Sequence, residues 1–438
     1  MMKPIQVGLL GLGTVGGGTL TVLRRNREEI ARRAGREIVV SHVAVRDPVK
    51  AQALAGTGVT LTTDAGAIVN HPDIDIVCEL IGGISPAREL VMQAIANGKH
   101  VVTANKALIA KHGNEIFAAA QKHGVMVAFE AAVAGGIPII KALREGLSAN
   151  RIQWLAGIIN GTTNFILSEM RDKGLAFADV LKEAQRLGYA EADPTFDIEG
   201  IDAAHKAAIM SAIAFGVPMQ FDAAHIEGIS ALEATDIRYA EELGYRIKLL
   251  GISKRRENGV ELRVHPTLIP ARRLLANVEG AMNAVLVWGD AVGATLYYGK
   301  GAGAEPTASA VIADLVDVTR LHTADPHHRV PYLAFQPDQL TDLKVLPMEA
   351  VETCCYLRLS AADKPGVLAD ITRILADLEI SIDAMLQKEP DEGADRADIV
   401  ILTHLAQEKA VNAAIARIEA LPAITGRVTR IRMETLNG

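Results

Sequence analysis

What this chain of 438 residues lacks narrows its function first. It has three cysteines, Cys78, Cys354 and Cys355, whose spacing suits neither a disulfide framework nor a metal cluster. The adjacent pair points to opposite faces if the backbone is extended, and the expected compartment is a reducing cytoplasm. No run of about 18 apolar residues occurs, so no membrane span is expected. The 45 Lys and Arg are scattered and outnumbered by 52 Asp and Glu, for a net charge of −7. Without a basic stripe to neutralise phosphates, nucleic-acid binding is not expected. The opening run MMKPIQVGLLGLG has the lysine and apolar stretch of a secretory leader, but it passes straight into a glycine turn with no processing-site pattern. It reads instead as a buried strand. What is present, 49% hydrophobic and 22% charged residues, suffices for two or three domains with their own cores.

The apolar run 5–10 is followed by GLGTVG and then by a helical pattern through Ile30. This is the strand, glycine turn and helix of a dinucleotide site. Gly11 makes the turn, Gly13 lets the backbone approach a pyrophosphate, and Gly16 lets helix and strand pack closely. The phosphates would sit on the helix N-terminus, where free N–H groups favour an anion. A second strand, 38–45, ends in Arg46-Asp47-Pro48. Arginine there suits the 2′-phosphate of NADP, with Lys50 as a helper, whereas Asp47 keeps NAD open; a solvated arginine is the plainer alternative. Strands at 74–81 and 100–103 with a helix at 88–97 continue the pattern. Lys106 follows just past a strand's carboxyl end, where open α/β sheets bind ligands; the alternative is an ordinary surface lysine.

Residues 125–130 read as a strand, 133–140 as a small-residue loop, and LREG closes a helix with Gly146 in the left-handed capping position. A strand at 152–159 leads into NGTTN, whose amides and hydroxyls suit a polar ligand; a helix at 177–187 stops at Gly188. The segment 188–206, GYAEADPTFDIEGIDAAHK, then packs Glu191, Asp193, Asp197, Glu199, Asp202 and Lys206 against an apolar helix. So many like charges beside a buried element are costly unless something uses them. Asp202 and Lys206, four apart, share one helix face. An exposed salt bridge would explain the spacing alone, but the apolar run that follows marks the helix as buried. There the carboxylate favours the ammonium while burial opposes it, which suits a proton donor in a dry cleft.

At this point AQRLGYAEADPTFDIEGIDAAHK (184–206), VTANKALIA (102–110), GIINGTTNFIL (157–167) and GKGAGAEPTASAVIADL (299–315) resemble the homoserine dehydrogenases, in the expected order. The resemblance implies NAD(P)H-dependent interconversion of L-aspartate 4-semialdehyde and L-homoserine, a step towards threonine, methionine and isoleucine. It implies Lys206 as proton donor and Lys106 near both cofactor and substrate. Glu191, Asp202, Asp197, Gly188 and Thr162 would contact the substrate. Gly11, Leu12, Gly13, Thr14, Val15, Gly16, Arg46, Thr103, Lys106 and Gly303 would contact the cofactor, NADP with NAD as the alternative. A sodium ion would be held by the loop bearing Glu130, Val133, Gly135 and Ile137, mostly through carbonyls. Glu199 is left without a role.

Residues 323–351, with Pro326, Pro331, Pro337 and Pro347, read as a linker. Beyond it come a strand at 355–360, a helix at 366–378, strands at 380–388 and 397–404, a helix at 407–421 and a strand at 426–433. This βαββαβ order is ferredoxin-like, and DKPGVLADI (363–371) resembles the ACT domain, an amino-acid-binding module. The implied effector is L-threonine. The expected architecture is therefore α/β: a Rossmann-type nucleotide domain (1–132, rejoined by a helix at 304–320), an α+β substrate and dimerisation domain (133–303), a linker (321–350) and an ACT domain (351–438). The resemblance also implies a homodimer or homotetramer. Two competing readings are another NADP-linked reductase, and an amino-acid-binding regulator with a vestigial nucleotide fold. The first makes 188–206 a coincidence; the second leaves intact glycines and acids unexplained.

Overall fold

Six short strands rich in Val and Ile form a parallel sheet: β1 (Ile5–Leu10), β2 (Ile38–Ala44), β3 (Thr60–Thr62), β4 (Ile76–Glu79), β5 (His100–Thr103) and β6 (Val127–Ala128). In this computed structural model, which describes residues 3–388 and 395–437, their order is 3-2-1-4-5-6. Residues 1–2, 389–394 and 438, at the margins of the first and last expected domains or within the latter, lie outside the described residues. The central strands are buried on both faces, as parallel strands covered by crossover helices must be. One face packs on the helices Thr14–Arg25 and Arg27–Ala34 and on Ala304–Leu321, which returns from far along the chain. The returning helix lies so close that a Cβ on Gly18 would stand 2.4 Å from the Ala304 carbonyl oxygen. Arg25 and Glu305 pair beside it at 2.8 Å.

The second sheet is larger. It contains β7 (Ile152–Ile158), β8 (His225–Ile226), β9 (Tyr245–Arg256), β10 (Gly259–Pro270), β11 (Met282–Gly289), β12 (Gly293–Lys300), β13 (Glu352–Ala362), β14 (Ile382–Gln387), β15 (Arg396–Thr403), β16 (Ala406–Gln407) and β17 (Ile424–Met433). Its main path runs β12-β11-β7-β9-β10-β17-β13-β15-β14, with β8 on β10 and β16 on β13. The last strands, with the helices Val367–Asp377 and Glu408–Glu419, form the ferredoxin-like unit expected from the sequence. The sequence does not reveal that this unit shares a sheet with the one before it. Parallel pairing of Thr267 with Arg432 and of Leu268 with Met433 joins the two. Cys354 packs towards the preceding core and Cys355 into the core of the ferredoxin-like unit, the opposite faces that extended backbone requires.

Local differences from the expected elements have physical causes. The strand expected at 125–130 is confined to β6, because Glu130 starts a tight 3₁₀ turn. Gly146 is not a left-handed cap: residues Ala142–Gly146 close a π-helical turn, and Gly146 is absent from the positive-φ glycines. The linker carries only short turns and is tied down along its length. The Tyr332 hydroxyl donates to the Val125 carbonyl at 2.5 Å, and Gln220 donates to the Leu343 carbonyl at 2.9 Å.

Candidate active site

The site is built where the carboxyl edge of the parallel sheet meets the helix Ile201–Phe215. That helix is buried at every position from Asp202 to Phe215, as its all-round apolar sequence demands. Gly200 precedes it at φ +80°, a left-handed turn that separates it from the short helix Thr195–Ile198. The segment 195–215 is thus two helices with a bend between them, and Asp197 and Asp202 stand on either side of that bend.

Asp202 is the hub. Lys206 donates to its Oδ2 at 2.7 Å and to the Ile159 carbonyl at 2.7 Å. Lys106, the first residue of the helix Lys106–Lys122, brings its ammonium to 2.8 Å from Oδ1. One carboxylate therefore bridges a lysine of the nucleotide-binding sheet and a lysine of the buried helix. Asn160 donates to Asp202 Oδ2 and to Asp197 Oδ1, both at 2.8 Å. Its own oxygen accepts from Thr163 N at 2.8 Å, capping the next helix and fixing the amide. Thr162 donates to the Tyr189 carbonyl at 2.7 Å and approaches Asp197 Oδ2 at 3.3 Å. Phe196 covers the Lys106 ammonium, 5.6 Å from ring centre to Nζ.

The charges are tuned unequally. Burial would raise the Asp202 carboxyl, but the Lys206 and Lys106 ammoniums hold it well below the usual carboxylate range. Burial pulls Lys206 below the ordinary lysine value, with Asp202 only partly compensating. At Lys106 burial acts in the same direction, yet Asp202 outweighs it and the ammonium is favoured overall. Burial, reinforced by the Asp202 charge, raises Asp197. The site thus holds one lysine that releases its proton easily beside one that keeps it.

The remaining residues singled out from the sequence surround this hub or lie on the nucleotide edge. Glu191 is exposed in the loop after Gly188, which ends the preceding helix at φ +79°, and its charge reaches Lys106. Glu199 is half-buried, its backbone pressed against Gly228 rather than solvated. Gly11 turns the chain at φ +101° beside the Leu80 carbonyl, and a Cβ on Gly16 would fall 2.2 Å from the Gly11 carbonyl oxygen. A Cβ on Gly13 would meet nothing within 4 Å, so its backbone faces open space. No side chain caps the helix that begins at Thr14, and Leu12 and Val15 flank the turn half-buried. This cradle fits a dinucleotide's phosphates. Arg46 is exposed just past β2, whereas Asp47 accepts from Lys50 N at 3.2 Å and caps its own helix. The Thr103 hydroxyl is engaged with Glu79 at 2.7 Å and with Asn105 N at 3.0 Å. Gly303 starts the returning helix.

Glu130 is buried, and both its oxygens accept backbone N–H groups, from Ile140 at 2.9 Å and Lys141 at 2.8 Å. Burial and then Asp314 push it up to about 7. Gly135 lies against the turn before Gly303: a Cβ there would stand 2.5 Å from the Gly301 carbonyl oxygen. Among the described residues, no N–H donates to the Val133 or Gly135 carbonyls, which leaves them open to a cation. The Glu130 and Ile137 carbonyls each accept one hydrogen bond.

Two contributors escape sequence reading. Asn160 lies within a motif that was legible, but its bridging of two aspartates was not. Buried Glu79 accepts from Ile81 N, Gly82 N and Thr103 and so shapes the sheet edge; a lone acid at a strand end gives no such sign.

Comparison with known proteins agrees along the whole chain. Residues 11–130 match the family model described as homoserine dehydrogenase, NAD binding domain, residues 138–316 that of homoserine dehydrogenase, and residues 356–423 that of the ACT domain. A homoserine dehydrogenase of Pseudomonas aeruginosa is 63% identical over 437 residues, covering 100% of both chains. The crystal structure of a homoserine dehydrogenase from Thiobacillus denitrificans is 77% identical, with a TM-score of 0.96 over 100% of this chain and 99% of that one. A hyperthermophilic archaeal homoserine dehydrogenase in complex with NADPH is 26% identical, with a TM-score of 0.63 over 74% of this chain and 99% of that one. The chain belongs to the homoserine dehydrogenase family, NAD(P)-dependent oxidoreductases acting on a CH–OH group, and carries a C-terminal ACT domain.

Proposed function

We propose that this enzyme interconverts L-aspartate 4-semialdehyde and L-homoserine, on the way to threonine, methionine and isoleucine. The observation that carries the reading is the convergence of Lys106 and Lys206 on Asp202, at the edge of a sheet that binds nucleotide. A bound nicotinamide supplies the hydride in the reductive direction. Lys206 meets the charge that develops on the aldehyde oxygen by giving up the proton that burial makes labile. Lys106 stays charged and holds the oxygen's side of the substrate, while Asp202, Asp197 and Glu191 face the substrate's ammonium. Thr162 and Gly188 shape the loop beside them. The test is NADPH oxidation with aspartate semialdehyde; no turnover by the wild-type chain sinks the assignment.

The cofactor we infer is NADP. With Asp47 committed to its helix, Arg46 is left at the strand end for a 2′-phosphate. Similarity to the archaeal enzyme in complex with NADPH supports the same choice. Gly11, Leu12, Gly13, Thr14, Val15 and Gly16 would hold the pyrophosphate, with Thr103 and Gly303 towards the nicotinamide. Arg46→Ala should raise the NADPH Michaelis constant about 10- to 100-fold while leaving that for NADH nearly unchanged, the loss of a charge-assisted contact of about 1.5–3 kcal/mol. An unaltered NADPH constant would refute the role.

A sodium ion fits the open carbonyls of the Val133–Gly135 loop, completed by Ile137 and the Glu130 backbone, since the Glu130 carboxylate is already spent. We further infer a cytoplasmic homodimer or homotetramer with domains at 1–132 (plus 304–320), 133–303 and 351–438 and a linker at 321–350. The ACT domain would bind L-threonine, which inhibits if it favours a less active state. Adding L-threonine to the NADPH assay should lower the rate; a rate independent of threonine up to saturation leaves that domain without its assigned ligand.

A further inference from the structure

The bend that carries Asp197 and Asp202 rests on a segment gripped from the ACT domain. β8 pairs with β10, and Glu227 N continues the ladder by donating to the Val264 carbonyl at 2.8 Å. The next two residues seat the bend. Gly228 leaves no room for a side chain, since a Cβ there would stand 2.4 Å from the Ile198 carbonyl oxygen and 2.6 Å from Glu199 Cα. Ile229 N donates to the Ile198 carbonyl at 2.8 Å. Gly200, the bend itself, faces the same support: its Cβ would meet Val264 at 3.2 Å and the Glu227 carbonyl oxygen at 3.3 Å. Any shift of residues 227–229 therefore moves backbone that is two residues from Asp202 on one side and one from Asp197 on the other.

The Glu227 side chain points the other way, into the ACT domain. Arg432, 1% exposed on β17, grips it with two parallel bonds, Nη1 to Oε2 at 2.7 Å and Nη2 to Oε1 at 2.9 Å. Arg430 adds a bond to Oε1 at 3.1 Å, and His225 lies 2.9 Å from the same oxygen. Both arginines are anchored to Glu408, the first residue of the ACT domain's second helix, Arg432 at 2.5 Å and Arg430 at 2.6 Å. A bidentate arginine–carboxylate pair whose arginine is buried is directional, so a displacement of β17 or of that helix is transmitted rather than absorbed.

We propose that Glu227 is a positioning residue for the substrate. Held by Arg432 and Arg430, it fixes the seat of the Asp197–Asp202 bend and makes substrate affinity depend on the ACT domain's last strand and second helix. The inference rests on Asp197 and Asp202 binding the substrate's amino group.

The test uses the full chain and steady-state kinetics of homoserine oxidation, with thermal midpoints measured in parallel. Glu227→Gln keeps the size of the side chain but loses the charge and replaces one of the two acceptor oxygens with an NH2 that cannot take an arginine's bond. It should raise the Michaelis constant for homoserine about fivefold or more while leaving that for NADP⁺ unchanged. Arg430→Gln, at a partly exposed position, should act in the same direction more weakly, and Arg432→Lys should fall between it and Glu227→Gln. Glu434→Gln is the control. It loosens the neighbouring Lys254–Glu434–Arg263 cluster at the same joint without touching Glu227, and should lower the midpoint without splitting the two constants. Folded Glu227→Gln and Arg430→Gln enzymes with an unaltered homoserine constant overturn the proposal. So does a parallel rise of both constants that Glu434→Gln reproduces, because that is general loosening. Asp202→Asn, run alongside, separates the layers: if it too leaves homoserine kinetics untouched, the substrate assignment fails rather than the coupling alone.

Discussion

Lys206→Ala should lower kcat for semialdehyde reduction by about 10²- to 10⁴-fold, the range for losing a positioned general acid, with the NADPH Michaelis constant unchanged. Lys206 is 9% exposed and its ammonium is held by two acceptors, Asp202 and the Ile159 carbonyl, so it has little freedom. Its pKa is displaced below the ordinary lysine value because burial disfavours the charge more than Asp202 restores it. The sign of the pH dependence follows. In the role proposed for Lys206, reduction draws on the protonated amine, so its rate is present at low pH and falls as pH rises through the depressed pKa. Homoserine oxidation needs the neutral amine and gains over the same interval. Lys206→Ala should abolish both limbs. An alanine enzyme that keeps the wild-type rate and pH profile removes Lys206 from the chemistry.

Asp202→Asn should be nearly as damaging, for a different reason. Asparagine has the shape of aspartate, so the helix is expected to fold, but two ammoniums would then face one another with Asp197 and the exposed Glu191 left to offset them. Orphaning a buried charge typically costs about 3–5 kcal/mol. If that cost falls on substrate binding and the transition state, kcat/KM for homoserine drops about 10²- to 10⁴-fold. Because Asp202 raises the Lys206 pKa, its removal should move the pH limb of reduction to still lower pH. Steady-state pH profiles of the variant and the wild type check this. A limb that stays in place would show that Lys206 does not sense Asp202 and that the 2.7 Å contact is structural only.

The parts of this architecture that depend on short-range spacing were legible in the sequence. The glycine turn after a buried strand, the four-residue interval from Asp202 to Lys206, and the βαββαβ order of the ACT domain all express local geometry. What was illegible joins distant residues. Lys106 is marked only by its place past a strand's carboxyl end, and nothing local reveals that Asp202 will reach it from far along the chain. Asn160 binds two aspartates 37 and 42 residues away, and the β10–β17 pairing links strands on opposite sides of a linker. Gly146 misled for a subtler reason. Glycine near a helix end usually marks a left-handed cap, but here the helix widens into a π turn and needs no such residue.

The shared sheet has a consequence for biosynthesis of the chain itself. The strand that joins its halves, β17, is the last described strand to leave the ribosome, yet it lies between β10 and β13. Until Met433 has emerged, β10 has a bare edge where Thr267 and Leu268 await partners. The nascent chain must therefore close its central joint only after the strands on both sides of it have been made, and a chain cut at the linker would keep that edge bare. The module's part in the enzyme is therefore better probed by changing single side chains than by removing it.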